Sequence, residues 1–147
     1  MQTRLGRTMR LWVVAAMAAL LHAWVLATPI AAADEKKIQS VVQAQLDAFA
    51  ADDAKRAFSY AAPSIRKVVG TADNFMAMVR QGYPAVYRPA SVQFLKPESI
   101  DNEVMQRLQL TDGQGDNWIA TYTMERQKDK SWRISGCTLA PQRGRMA

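Results

Sequence analysis

The sequence predicts an α+β fold, with helices in the first half and strands in the second. Three observations carry this. Apolar residues recur at helical spacing from Ile38 to Val79, they alternate with polar residues from Val92 to Leu139, and the period changes at a proline-bracketed stretch, Pro84 to Pro89. A run of helices followed by a run of strands argues for a helical layer on an antiparallel sheet, not for alternating βαβ units. The expected architecture is three N-terminal helices packed on a curved, largely antiparallel four-stranded sheet.

The elements follow in chain order. Ile38, Val41, Val42, Leu46 and Phe49 share one helical face, while Lys36, Lys37, Gln39, Ser40, Gln43 and Asp47 lie around the rest, so an amphipathic helix of about 15 residues is expected, capped by Asp34. Asp52 is the expected cap of a second helix that turns Ala54, Ala57, Phe58 and Ala61 inward and stops near Pro63. Ser64 to Val69 adds a short turn closed by Gly70. Thr71 caps a third helix with Phe75, Met78 and Val79 inward, ending at Gly82. Beyond Pro84, Val92 and Phe94 begin a strand that ends at Pro97. Val104, Leu108 and Leu110 mark a second strand and Trp118, Ala120, Tyr122 and Met124 a third. Trp132 and Ile134 lead a fourth through to Leu139. Asp112-Gly113-Gln114-Gly115 and Lys128-Asp129-Lys130 are the turns between them, which makes the last three strands hairpin-connected.

Ahead of the domain stands a segment with the three parts of an export signal. Arg4, Arg7 and Arg10 form a basic start, Leu11 to Ala27 is an apolar run interrupted only by His22, and Ala31 and Ala33 supply the small side chains a signal peptidase needs before a cut ahead of Asp34. Pro29 keeps the cleavage region extended. The expected division is a signal peptide over 1–33, one domain over 34–140 and a disordered tail over 141–147, with the product periplasmic or secreted. An uncleaved inner-membrane anchor is the alternative, and only in that case does the chain engage a membrane.

Removal of 1–33 takes away three of 19 basic residues and none of 13 acidic ones, which lowers the net charge from +6 to +3. A charge of +3 spread along a chain is an ordinary soluble surface, and no concentrated basic face points to nucleic acid. His22 is the only histidine and Cys137 the only cysteine. Outside the signal segment there is therefore no histidine for a Ser-His-Asp triad, a Cys-His dyad or a histidine metal site, and no intramolecular disulfide can form. Nothing in the sequence calls for a metal or another cofactor. Asp112-Gly113-Gln114-Gly115-Asp116 looks superficially like a calcium loop, but Asn117 stands where the loop needs glycine and Thr123 where it needs glutamate, so a tight turn is expected.

The segments Gln43 to Phe49, Asp52 to Ala61, Phe75 to Arg80, Tyr83-Pro84-Ala85-Val86-Tyr87-Arg88-Pro89 and Trp132 to Cys137 resemble domain of unknown function 4864, a bacterial family, across essentially the whole domain. The Tyr-Pro-x-Val-Tyr-Arg-Pro stretch is the most specific part. The resemblance implies the layout of the nuclear transport factor 2-like (cystatin-like) superfamily, a cone-like packing of helices on a curved sheet around a cavity. That superfamily includes isomerases, cyclases, dehydratases and non-catalytic binding modules.

Six residues are candidates for ligand contact. Tyr83, Tyr87 and Arg88 stand at the helix-to-sheet junction, where two phenols and a guanidinium could orient an anionic or aromatic ligand, or could equally form a structural corner in which Arg88 bonds carbonyls or a carboxylate. Tyr60, near the end of the second helix, is a cavity-lining or core residue. Trp118, like Tyr122 and Trp132, belongs to a cavity wall or simply to the core. Gln106 is a polar residue on the apolar face of its strand and must find a partner. Asp47, Asp52 and Asp53 are the carboxylates nearest the helical core, with Asp52 and Asp53 reading as a cap and a solvated neighbour. Cys137 reads as a buried inert thiol.

These readings favour a non-catalytic domain that binds a small apolar or anionic ligand or takes part in an interaction. One alternative is a small isomerase- or dehydratase-type enzyme with an Asp base and Tyr donors such as Tyr60 or Tyr87, which requires a carboxylate within the cavity. The other is a structural homodimer.

Overall fold

A computed structural model describes residues 29–143. The basic start and apolar run of the expected export signal lie outside the described residues, as do 144–147. Among the described residues no helix is long and apolar enough to cross a membrane.

Helix α1 (Ala32–Ala50) buries Ile38, Val42, Gln45, Leu46 and Phe49, the stripe that its periodicity calls for. It starts three residues earlier than expected. Ala31 is its N-cap and offers no side-chain bond, while Asp34 and Glu35 lie inside the first turn, where their charges complement the exposed N–H groups. Asp34 is thus a first-turn acid and not a cap. Its carboxylate also accepts a long hydrogen bond from Trp132 Nε1 at 3.4 Å. A cut after Ala33 would fall within this turn.

The adjacent pair Asp52-Asp53 divides its work differently from expectation. Asp53, not Asp52, caps α2 (Ala54–Ser59), its carboxylate accepting the Arg56 N–H at 3.1 Å. Asp52 closes α1. The Asp53 N–H donates to the Ala48 carbonyl at 2.9 Å and the Asp52 N–H to the Phe49 carbonyl at 3.0 Å, the paired bonds of a Schellman ending. That ending needs a left-handed residue, and Asp52 adopts φ +53°. Aspartate is one of the few side chains that tolerate this region without large strain.

Helix α3 (Pro63–Val69) opens with Pro63 at a position where the missing N–H costs nothing, and closes at Gly70 with φ +88°. Its α2-side link is stitched to the sheet: the Ala62 N–H donates to the Ile134 carbonyl and the Ile134 N–H to the Tyr60 carbonyl. Helix α4 (Ala72–Gly82) is capped by Thr71, whose hydroxyl accepts the Asn74 N–H at 3.1 Å. It buries Phe75, Met76 and Val79. Met78, expected inward, is 41% exposed. Pro84 then starts a single extra turn, α5 (Pro84–Tyr87), which buries Ala85 and Val86. Among the described residues the three expected helices are five, because Pro63 and Pro84 each restart a helix where a break is expected.

The sheet has five strands and is antiparallel throughout: β1 (Ser91–Phe94), β2 (Glu98–Ile100), β3 (Glu103–Thr111), β4 (Asn117–Arg126) and β5 (Trp132–Pro141). The order is β1-β3-β4-β5, with β2 also paired to β3. Strands β1 and β2 are two halves of one edge, interrupted at Leu95 to Pro97. The strand missing from the sequence reading is β2. Its connection to β3 is a two-residue hairpin in which Asp101 and Asn102 both take positive φ, 50° and 65°. That conformation matches the twist of paired strands, and Asp and Asn are among the residues that adopt it. Strand β5 extends to Pro141, and the Gln142 N–H donates to the Asn117 carbonyl at 2.8 Å, so ordered structure continues past residue 140.

Register explains which residues face the helices. Gln106 pairs with Tyr122, Leu108 with Ala120 and Leu110 with Trp118, so these share the inner face. On β5 the parity changes. Ile134 pairs with Met124, but Gly136 pairs with Thr123, which leaves Ser135 as the extra residue of a bulge. Upstream, Trp132 and Ile134 face inward. Downstream, Cys137 and Leu139 do, opposite Tyr122 and Ala120. The core between the layers holds Ile38, Val42, Phe49, Leu108, Leu110 and Tyr122, each almost fully buried.

Candidate ligand cavity

The helices do not fill the space over the bulged end of β5. A cavity of about 340 Å³ opens there, a size typical of small-molecule sites. Its walls come from α1 (Gln45, Phe49), α3 (Ile65, Val68, Val69), α4 (Phe75, Met78, Val79), the α4–α5 junction (Tyr83, Val86) and the sheet (Tyr122, Ile134, Cys137). Each contribution has a local cause. Ile65, Val68 and Val69 are one helical face of α3. Phe75 and Val79 are one turn apart on α4, and Phe75 stacks at a tilt on Phe49 and Phe58, with ring centroids 5.9 and 5.4 Å apart. The bulge at Ser135 brings Cys137 onto the cavity side beside Tyr122. Val68 is 86% exposed, so its apolar side chain stands at the mouth together with Met78.

No Asp, Glu, Lys or Arg among the described residues lines this cavity. Its polar side chains are Gln45, Tyr83, Tyr122 and Cys137. Gln45 is buried and donates Nε2 to the Ala57 carbonyl at 3.1 Å, which ties α1 to α2. The Tyr122 hydroxyl is buried with no hydrogen-bond partner among the described residues. Burial, helped by the neighbouring Cys137, pushes that phenol well above its ordinary value, so it stays neutral. Burial likewise pushes the Cys137 thiol up to about 12, which leaves it protonated and a poor nucleophile. Tyr83 is half-buried, and its hydroxyl makes no hydrogen bond to any described residue.

The sequence grouped Tyr83, Tyr87 and Arg88 as one site, and the fold separates them. Tyr83 faces the cavity. Tyr87 and Arg88 face Asp52, on the outside of the helical layer. There Asp52 Oδ1 accepts from Arg80 Nη2 at 2.8 Å and from the Tyr87 hydroxyl, and Oδ2 accepts from Arg88 Nη2 at 2.9 Å. Both guanidiniums also lie over the Tyr87 ring, at 5.4 and 5.0 Å from its centroid. The Tyr87 hydrogen bond first, and Arg80 and Arg88 after it, hold the Asp52 carboxyl below its ordinary value. This is the structural corner in which Arg88 bonds a carboxylate. Asp52, expected as the cap of α2, is instead the acceptor at the centre of a four-residue cluster.

The other candidates are dispersed. Gln106 is fully buried where the edge strand breaks, donating Nε2 to the Leu95 carbonyl at 2.6 Å and to the Arg107 carbonyl at 2.8 Å, with Oε1 unpartnered. It compensates for a ladder that Pro97 cannot continue. Tyr60 ends α2, and its backbone carbonyl carries the bond to β5. Trp118 lies at the far end of β4, where its Nε1 donates to Asp112 Oδ2 at 2.9 Å. That bond and two turn N–H groups occupy the Asp112 carboxylate, so the Asp112 to Asp116 segment is a closed turn. Asp47 is exposed and accepts from Gln43. Among the described residues no cluster of three His, Cys, Asp or Glu could hold a metal ion. The sequence had placed Tyr122 only in a wall or core. Its alternation with Ala120 and Met124 marked it as inward, but nothing local marked its hydroxyl as unpartnered.

No curated protein and no solved structure matches this chain. A family model does match residues 31–147, nearly all of the described fold, and on that match the chain belongs to the domain of unknown function family DUF4864.

Proposed function

We propose that this domain is a non-catalytic module, exported by a leader removed after Ala33, that binds one small apolar molecule in the cavity between its helices and its sheet. One observation carries the binding reading: a cavity of about 340 Å³ walled by aliphatic and aromatic side chains with its mouth open between α3 and α4. An interior normally packs to near-crystalline density, and an open apolar cleft of this size leaves aliphatic and aromatic surface against water that a bound apolar molecule would cover. The helical layer over an antiparallel sheet with a cavity between them also agrees with a nuclear transport factor 2-like, cone-like arrangement.

The enzyme reading needs a carboxylate within reach of a bound substrate, and the described carboxylates lie away from the cavity wall. The anionic half of the ligand expectation loses support for a similar reason: no described Lys or Arg lines the cavity, and Arg80 and Arg88 stand outside it on Asp52. Native mass spectrometry of protein purified from the periplasmic fraction tests the proposal. A denatured mass beginning at Asp34 and a native mass raised by one discrete small molecule are the expected outcome. A full-length denatured mass overturns the cleavage, and a native dimer with nothing bound favours the structural homodimer instead.

A further inference from the structure

Two phenols border the cavity, and they differ in what they offer a ligand. The Tyr122 hydroxyl is enclosed by protein, with under 1 Å² of its surface accessible, so a molecule in the cavity cannot reach it as it stands. Tyr83 is half-buried, lines the cavity and keeps its hydroxyl uncommitted among the described residues. Its backbone is pinned, since the Tyr83 carbonyl accepts both the Val86 N–H at 3.0 Å and the Tyr87 N–H at 2.9 Å at the α4–α5 junction. Gln45, another polar group of the wall, is tied through its amide nitrogen to the Ala57 carbonyl.

Resting on the binding reading above, we infer that the ligand is uncharged and apolar, carries a single carbonyl-type acceptor, and is anchored by the Tyr83 hydroxyl. The volume sets its size: at about 30 Å³ for each water-sized group, the cavity holds on the order of ten non-hydrogen atoms. The wall sets its charge. A carboxylate inside would lose its water and meet no cation, a cost no apolar contact repays. On a wall where Gln45 is tied to Ala57 and the Tyr122 hydroxyl is enclosed, the Tyr83 phenol then fixes orientation, as isolated polar groups do in small-molecule sites.

Three probes of matched length test this by titration against methyl-labelled methionine, followed through the Met78 resonance at the mouth: nonan-2-one, its isostere 2-methylnon-1-ene, and nonanoate. The ketone should bind about five- to tenfold more tightly than the alkene, the worth of one net hydrogen bond. Tyr83→Phe should close that gap and leave alkene binding and the unfolding midpoint unchanged. Tyr122→Phe should leave the gap intact. Nonanoate should bind at least tenfold more weakly than the ketone. A gap that survives Tyr83→Phe, a gap abolished by Tyr122→Phe instead, or nonanoate as the tightest probe overturns the inference while the cavity-binding reading stands. If none of the three probes shifts Met78, the binding reading falls and the inference with it.

Discussion

Between Phe75 and Arg88 the chain turns one side to the cavity and the other to Asp52. On the inner side, Phe75, Val79, Tyr83 and Val86 line a mostly apolar cavity with no charged side chain among the described residues. On the outer side, Arg80, Tyr87 and Arg88 saturate a single carboxylate. The two sides are a few residues apart in sequence and opposite in chemistry. The outer cluster ties its one carboxylate to three donors, with two guanidiniums sharing a single negative charge. The inner wall has no charge, unfilled volume and two phenols without partners. On the proposed binding reading, the ligand goes where polar groups are fewest, because there the unfilled volume adjoins apolar wall.

Four substitutions test that contrast, taken from the largest effect to the smallest. Phe49→Ala removes a fully buried ring from the cavity wall and should cost about 3–5 kcal/mol in urea unfolding, since the space it leaves adjoins a void that cannot collapse around it. Asp52→Asn should cost clearly less. The amide tolerates the left-handed backbone but gives up both ion pairs, which are half exposed and screened by solvent. Its signature is in pH. The folded Asp52 carboxyl sits below its ordinary 3.8, so its contribution is fully present above that value and is lost as pH falls through the lower, folded one. The stability difference between wild type and Asp52→Asn should therefore stay level from neutral pH down to about 5 and shrink below 4. A difference that persists at pH 2 would mean that the cluster acts through shape and not through charge.

Tyr122→Phe should stabilise the protein by up to about 1 kcal/mol, because it deletes a buried hydroxyl whose closest polar neighbour is the Cys137 thiol, a weak partner outside hydrogen-bond geometry. A loss of similar size would reveal a bound water or ligand oxygen on that hydroxyl. Tyr83→Phe should leave stability within about 0.5 kcal/mol, and any larger change would place its hydroxyl in the fold's own bonding and not in the cavity's.

Local signals were read correctly where a single residue decides the geometry. Thr71 caps α4 and Gly70 closes α3 because a hydroxyl acceptor and a left-handed backbone are properties of those residues themselves. Helical and alternating periods located the two layers for the same reason. The Asp-Asn pair at 101–102 was an available signal for the β2–β3 hairpin and passed unread. The readings that went astray needed knowledge of a neighbour. Asp52 and Asp53 are both good caps, and which one caps depends on where α1 ends. Met76 and Met78 are two residues apart, and only the packing of α4 on α2 decides which of them is buried.

By itself, the sequence determined the class of the fold, the order of its layers, the Thr71 cap of α4 and the lack of any histidine after residue 22, because composition and period are properties of the chain alone. Only the tertiary structure decided that Tyr83 faces a cavity while Tyr87 and Arg88 close on a carboxylate 35 and 36 residues away. It alone decided that a bulge turns Cys137 inward beside Tyr122, and that Gln106 patches a broken edge strand. Each of those outcomes is a pairing between distant residues. Whether a polar group is spent or left over is a property of the pair, and only the folded chain brings the pair together.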